Sequence, residues 1–416
     1  TGAAQFGTLD AQSALINSGG ALRFTRSTTL RETGITASGV TGDELISTTR
    51  GLTVNAGSGG ITIDRISADT GVSLVSVGLI DVGALTVADG DALIDGDGDV
   101  IVDSGTVNYL LNVSAGGNAT LGTLSAGTVQ VTAGGAITAT SLTTTGFVQS
   151  TQNLTGAAGD IRLNAGSAVN LGALNAAAGV NITGATLTGA SSSLTARDGV
   201  QITTTGSATL GTIDAAKSLI NSGPLTFNRI TTSGNSDIVA AGTVTGGSLT
   251  STGGTLALTT TAGGNVLLGS VSAANGATII GAGLADIDSI TTSRGNVLVD
   301  MTGNVTVDAA NVAGSFDIDS DADVVIGTTT SAGPTRVRAT GAITAVSITT
   351  TTGTGQTTEP ALIRLAAGGA VNLGALNSAN AIDIAAATLN GAASSLRAAT
   401  NVGIASRGAA SFGTID

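Results

Sequence analysis

The sequence predicts an all-β fold: a parallel β-helical solenoid of about 21 coils, each of about 19 to 20 residues, with right-handed winding expected from the general twist of parallel strands and not from the sequence itself. Three observations carry this reading. The chain repeats itself over long units, a shorter period runs inside each unit, and apolar and polar residues alternate within each short segment.

The long repeat is direct. TGAAQFGTLDAQSALINSGG from Thr1 returns as TGSATLGTIDAAKSLINSGP from Thr205, and its opening returns as RGAASFGTID from Arg407. IRLNAGSAVNLGALN from Ile161 returns as IRLAAGGAVNLGALN from Ile363, and AGGAITATSLTTT from Ala133 as ATGAITAVSITTT from Ala339. The expectation is one continuous β-helix over 1–416, with a first unit 1–204, a second unit 205–406 and the start of a third at 407–416.

The short period comes from a four-residue signature: apolar, usually Gly, small, apolar. It reads FGTL, LGTL, LGAL, LGTI, LGSV and FGTI. Its second position is Gly7, Gly122, Gly172, Gly211, Gly269, Gly327, Gly374 and Gly413, with Asp64 in the variant IDRI. We read these glycines as structural corners. Their spacings are 57, 58, 50 and 39, then 58, 58, 47 and 39. The longer gaps of 57 and 58 are about three coils and the gaps of 39 about two, inside the range of solenoid repeats. The gaps of 50 and 47 then hold two coils and an insertion, placed at Thr143 to Gly159 and Thr349 to Ala361. These two insertions leave the stack as loops and are the candidate contact segments.

Alternation identifies the segments as strands. Phe316 and Ile318 alternate with Asp317 and Asp319, and Val169 and Leu171 flank Asn170. The segments are rich in Val, Ile and Thr and interrupted by Gly, Asn or Ser, which disfavours a helical repeat. One coil wraps a narrow core, and coils stacked about 4.8 Å apart bond in parallel to the coils on either side. Phe6, Leu210 and Phe412 hold one register position in successive units, as do Phe24 and Phe227, and all are read as core filling.

Composition agrees with a small aliphatic core. There are 63 Gly, three Pro, one Tyr and no Cys, His or Trp, while 41% of residues are hydrophobic and 10% charged. A disordered polyelectrolyte has the opposite balance, and Gly lacks the every-third-residue spacing of collagen. The apolar runs are too short for a membrane-spanning helix. A net charge of −13 repels phosphate backbones, and the scattered Arg residues form no basic stripe, so nucleic acid is not an expected partner. The chain opens on Thr1 with no signal peptide, so it is read as a processed or excised piece. Both ends are ordinary repeat, which suggests that neighbouring units, or copies of the chain, continue the stack end to end.

No catalytic residue is expected. Without His or Cys, the common nucleophile, base and zinc constellations cannot be assembled. The best acidic cluster, ADGDALIDGDGDVIVD, supplies Asp89, Asp91, Asp95, Asp97, Asp99 and Asp103. DGDGD resembles the start of a calcium loop, which makes Asp95, Asp97 and Asp99 the calcium candidates, but the closing Glu of an EF-hand is missing. In the second unit Arg294, Asn296, Thr302 and Asn304 stand opposite Asp89, Asp91, Asp97 and Asp99, and only Asp95 and Asp103 return, as Asp300 and Asp308. A solvated acidic face is the preferred reading there and at Asp317, Asp319, Asp321 and Asp323, and no cofactor is expected.

AGGAITATSLTTTG, AVNLGALNAAAGVNITGATLTG and GGNATLGTLSAGTVQVTAGGAIT resemble the repeat regions of filamentous-haemagglutinin-like exoproteins, large repetitive bacterial surface adhesins secreted by the two-partner route. The resemblance spans nearly the whole chain and is one of composition and repeat style. It implies a β-helical fibre, secreted or held at the bacterial cell surface, that works as adhesin, stalk or biofilm scaffold and meets host or surface glycans or proteins. A self-assembling extracellular filament is the first alternative and a carbohydrate-active β-helix enzyme the second.

Overall fold

The computed structural model describes residues 2–146, 157–352 and 360–416. Among them are 39 strands and no helix, stacked in parallel as a β-solenoid of about 21 turns. The chain divides into two compact units, 1–215 and 216–416.

Most coils are built from one long and one short strand, which join into a single strand in Val100–Ala115 and Ala119–Ala133. In the first unit the long strand Ile61–Ala68 is followed by the short strand Gly71–Ser76. The burial pattern of the long strand explains the coil's shape. Ile61 and Ile63 point inward, Asp64 and Arg65 both point outward, and Ile66 and Ala68 point inward again. Two successive outward residues break the period of two, so the strand bends and its halves lie on different faces. The short strand supplies a third face, with Val72 and Leu74 inward and Ser73 and Val75 outward.

Register is kept from coil to coil. Ile61 pairs with Ile80, Ile80 with Val100, and Val100 with Ala119. Buried Val, Ile and Leu therefore stack on Val, Ile, Leu and Ala in continuous columns. Full burial of such a side chain is worth about 1.5–3 kcal/mol, and this repeated term holds the narrow core together. Aromatic filling is local: Phe6 stacks on Phe24 with ring centroids 5.5 Å apart and planes at 11°.

The coils run from 18 residues, as between Leu22 and Val40, to 22, as between Val244 and Val266. This is wider than the expected 19 to 20, and the turns absorb the difference. The 22-residue coil of the second unit contains Ala262 and Gly263, both left-handed, with φ of 53° and 75°. Such a turn takes extra residues without moving the strands on either side.

Two steps are much longer. Ile137 pairs with Val169 and Ile343 with Val371, steps of 32 and 28 residues. Both fall at the expected insertions, and the ladder resumes in register after each one. The central parts of the two loops, 147–156 and 353–359, lie outside the described residues.

Candidate functional site

The corner glycines lie at the bends of the long strands. At Gly122 the register passes from Val102 with Leu121 to Ser104 with Thr123, so Asp103 and Gly122 face each other without a ladder pair. A Cβ on Gly122 would fall on the Asp103 carbonyl oxygen, and one on Gly172 would fall on that of Thr140. The backbones approach too closely there for a side chain. Gly269, Gly327 and Gly374 occupy the same place in the second unit. Gly211 and Gly413 stand against Ser192 and Ser394, beside register shifts in the neighbouring strands, and a Cβ on Gly7 meets nothing within 4 Å.

Sequence reasoning found only some of these corners. Thr25, Asp43, Gly83, Asp103 and Thr140 occupy intermediate bends in the first unit, and Asn228, Gly247, Asp288, Asp308 and Val346 in the second. At Thr25, Asp103, Thr140, Asn228, Asp288 and Asp308 the missed signal is an apolar residue followed by Asp, Asn or Thr at the coil period, and Gly83 stands in the signature itself, as VGAL.

The acidic cluster is spread along turns and outward strand positions. Asp99 Oδ1 accepts the backbone N–H of Asn118 at 2.7 Å, and Asn118 Oδ1 accepts that of Ala136 at 2.8 Å. Asp91 Oδ1 accepts the N–H of Leu110 at 3.1 Å. The second unit makes the same bonds with the acceptor types exchanged. Asn296 takes Ser315 N–H at 2.9 Å, Asn304 takes Asp323 N–H at 3.1 Å, and Asp323 takes Ala342 N–H at 2.7 Å. An Asn amide oxygen and an Asp carboxylate oxygen are both acceptors, so these positions need an acceptor and not a charge.

Asp95 points outward from the strand Asp91–Gly96, and Asp97 is an exposed turn residue. Among the described residues no three His, Cys, Asp or Glu side chains converge as a metal site. Asp317 pairs with Arg336 at 3.2 Å and Asp319 with Arg338 at 3.9 Å, both across adjacent coils. Exposed pairs of this kind contribute little to stability.

A groove of ≈ 970 Å³ lies on the first unit. Its floor is the outward column of the short strands: Leu15, Gly34, Thr53, Ser73 and Leu93, successive register partners. Gly34 leaves the floor open where the Leu15 side chain leans across it. One wall is made by the preceding turns, with Glu32, Arg50, Thr70 and Asp89, and Tyr109 closes one end.

Tyr109 is the chain's only tyrosine, and it is 8% exposed. It sits where the register shifts between Val107 and Leu110, an irregularity that presents its ring at the turn. Its hydroxyl donates to Asp89 Oδ1. That bond, then burial and the negative charge of Asp89 and Asp91, raise the phenol above its ordinary value. Asp81 is also raised, by burial first and then by Asp103 and Asp64. Arg50 pairs with Glu32 at 3.3 Å on the rim.

The groove arises from residues peculiar to the first unit. At the matching positions the second unit carries Asp237 for Gly34 and Gly314 for Tyr109. No motif marked these residues, because the groove joins side chains about a coil apart in sequence. The chain matches no protein-family model, no curated protein and no solved structure. No helix among the described residues is long and apolar enough to cross a membrane.

Proposed function

We propose that this chain is a structural and adhesive segment of an extracellular fibre, a stiff stalk of a bacterial surface adhesin or biofilm filament without catalytic activity. The observation that carries this reading is the coil-to-coil pairing of strands within each unit. Every coil is the hydrogen-bonding template for the next, so extension or bending of a unit must break parallel ladder bonds and open an aliphatic core.

The outward surface supports the same reading. It is mostly Thr, Ser, Asn and Asp, and its carboxylates act as turn acceptors and members of ion pairs. The resemblance to filamentous-haemagglutinin-like repeats adds the location, secreted or at the cell surface, and the expected partners, which are surface glycans, surface proteins or neighbouring repeats. Catalysis is disfavoured because the chain has no His or Cys and its carboxylates are dispersed.

The test has two readouts. Beads coated with the chain are expected to adhere to cell or mineral surfaces above beads coated with an unrelated acidic protein. Pulling on single molecules is expected to give a series of unfolding steps at sustained force. Adhesion no better than the control, together with collapse at negligible force, counts against the proposal. New reducing or unsaturated ends after incubation with polysaccharides would instead favour an enzyme.

A further inference from the structure

We propose that the groove on the first unit binds a neutral, linear oligosaccharide laid along the coil axis. The proposal rests on the adhesive reading above and gives it a ligand class and a place.

Four features of the groove point to this occupant. First, its recognition groups are periodic along the axis. Thr53 and Ser73 are register partners on adjacent coils, so they repeat at the coil spacing of about 4.8 Å. A pyranose ring in an extended chain is of similar length, so each sugar meets a fresh set of hydroxyl and backbone groups. Second, the ends of the floor are apolar. Leu15, 87% exposed, and Leu93 offer surfaces to the C–H faces of sugar rings at either end.

Third, each carboxylate lining the groove already holds an ion-pair or hydrogen-bond partner. Glu32 pairs with Arg50, Asp89 accepts from Tyr109, and Asp91 accepts from the N–H of Leu110. A carboxylate has acceptor sites to spare after one such bond, so Glu32 and Asp89 can still take sugar hydroxyls. An anionic ligand would meet the negative charge that Asp89 and Asp91 keep after these bonds. Fourth, a peptide cannot add as a strand between these coils, because the short strands that carry Gly34, Thr53, Ser73 and Leu93 are each paired on both sides, and only Ala14–Asn17, at the Leu15 end, is paired on one side. The volume lies within the range of ligand sites.

The test is titration calorimetry of the full chain with cellohexaose and with mannohexaose, beside hexalysine and a heparin hexasaccharide as charged comparisons. Saturable binding of a neutral hexasaccharide is expected. Thr53→Arg and Ser73→Arg, which place a long side chain in the floor, are expected to weaken it about tenfold or more, near 1.4 kcal/mol. Thr278→Arg, at the position of the second unit that matches Ser73, is expected to leave it unchanged.

Circular dichroism shows which variants keep their strands. Thr53 is already exposed, so its variant decides the matter if Ser73→Arg fails to fold. The proposal is overturned if neither neutral hexasaccharide binds, if only a charged probe binds, or if folded Thr53→Arg binds as the parent does. Bead adhesion that persists in any of these cases leaves the fibre reading standing and removes only the groove.

Discussion

The Asp99 carboxylate accepts the backbone N–H of Asn118, one coil further along, at 2.7 Å. The matching bond of the second unit, from the N–H of Asp323 to Asn304, uses an amide acceptor in the same place. Asp and Asn have traded positions between the two units while the bond has stayed. A turn acceptor can make that trade, because carboxylate and amide oxygens both accept a backbone N–H.

Asp99→Asn is therefore expected to change stability by little, while Asp99→Ala leaves the N–H of Asn118 without its partner. The cost of the second change is about 0.5–1.5 kcal/mol. Solenoids need not unfold in one step, so the readout should be local. Hydrogen exchange at the Asn118 amide is expected to speed up in the Ala variant and to stay near the parent rate in the Asn variant. Equal acceleration in both would show that the carboxylate's charge matters.

Gly122 gives a steric prediction. A Cβ at this position falls on the Asp103 carbonyl oxygen, a backbone atom of the preceding coil that cannot move aside alone. Gly122→Ala is expected to cost about 1–3 kcal/mol, the range for overpacking a close contact. Thr140 occupies the next bend of the same column and already carries a side chain, so Thr140→Ala is expected to be mild. Limited proteolysis of the two variants, read by mass spectrometry, should show new cleavage near residues 103 to 123 only in the first.

Tyr109 offers an optical test of the groove, because the chain has no other Tyr and no Trp. Its phenol is raised by the bond to Asp89, by burial and by nearby carboxylates, so folding favours the neutral hydroxyl. Its contribution to stability is fully present below the unfolded value of about 10 and is lost as the pH rises through the higher folded value. Absorbance titration at alkaline pH should show ionisation above that of free tyrosine. Asp89→Ala should bring it down, since it removes the largest cause and a neighbouring charge together. An unchanged titration would mean that the Tyr109 to Asp89 bond does not form in solution.

The sequence made the coil legible because its signal is repetitive. Phe316 and Ile318 inward with Asp317 and Asp319 outward follow from alternation alone. The corner at Gly122 was legible because Leu and Leu flank it in a signature that recurs. The corner at Asp103 was not, since an Asp between Val and Ser looks like any surface residue until the register places it beside Gly83 and Gly122. The acceptor ladder stayed hidden for the same reason, because Asp99 and Asn118 become neighbours only when coil lengths are known to the residue. The groove was less visible still. Gly34, Ser73 and Tyr109 belong to three different coils, and the concavity depends on a missing side chain and a register shift.

Phe227 and Gly246, register partners in the second unit, share one volume in the core. A Cβ on Gly246 would enter the Phe227 ring, and in the first unit one on Gly42 would enter the Phe24 ring in the same way. Each large side chain borrows the volume that the next coil leaves empty, so the two positions cannot be varied independently. Gly246→Ala is expected to destabilise its region by about 1–3 kcal/mol through overpacking. Phe227→Leu alone leaves a void, at a cost rising with the volume left unfilled. Combined, the smaller Leu gives the new methyl room, so the double variant should be more stable than the sum of the single changes predicts, by about 0.5–3 kcal/mol. A double-mutant cycle read by hydrogen exchange at Leu225 to Thr232 measures that difference. Additivity would mean that the Phe227 ring turns away from Gly246 and that the volume is not shared.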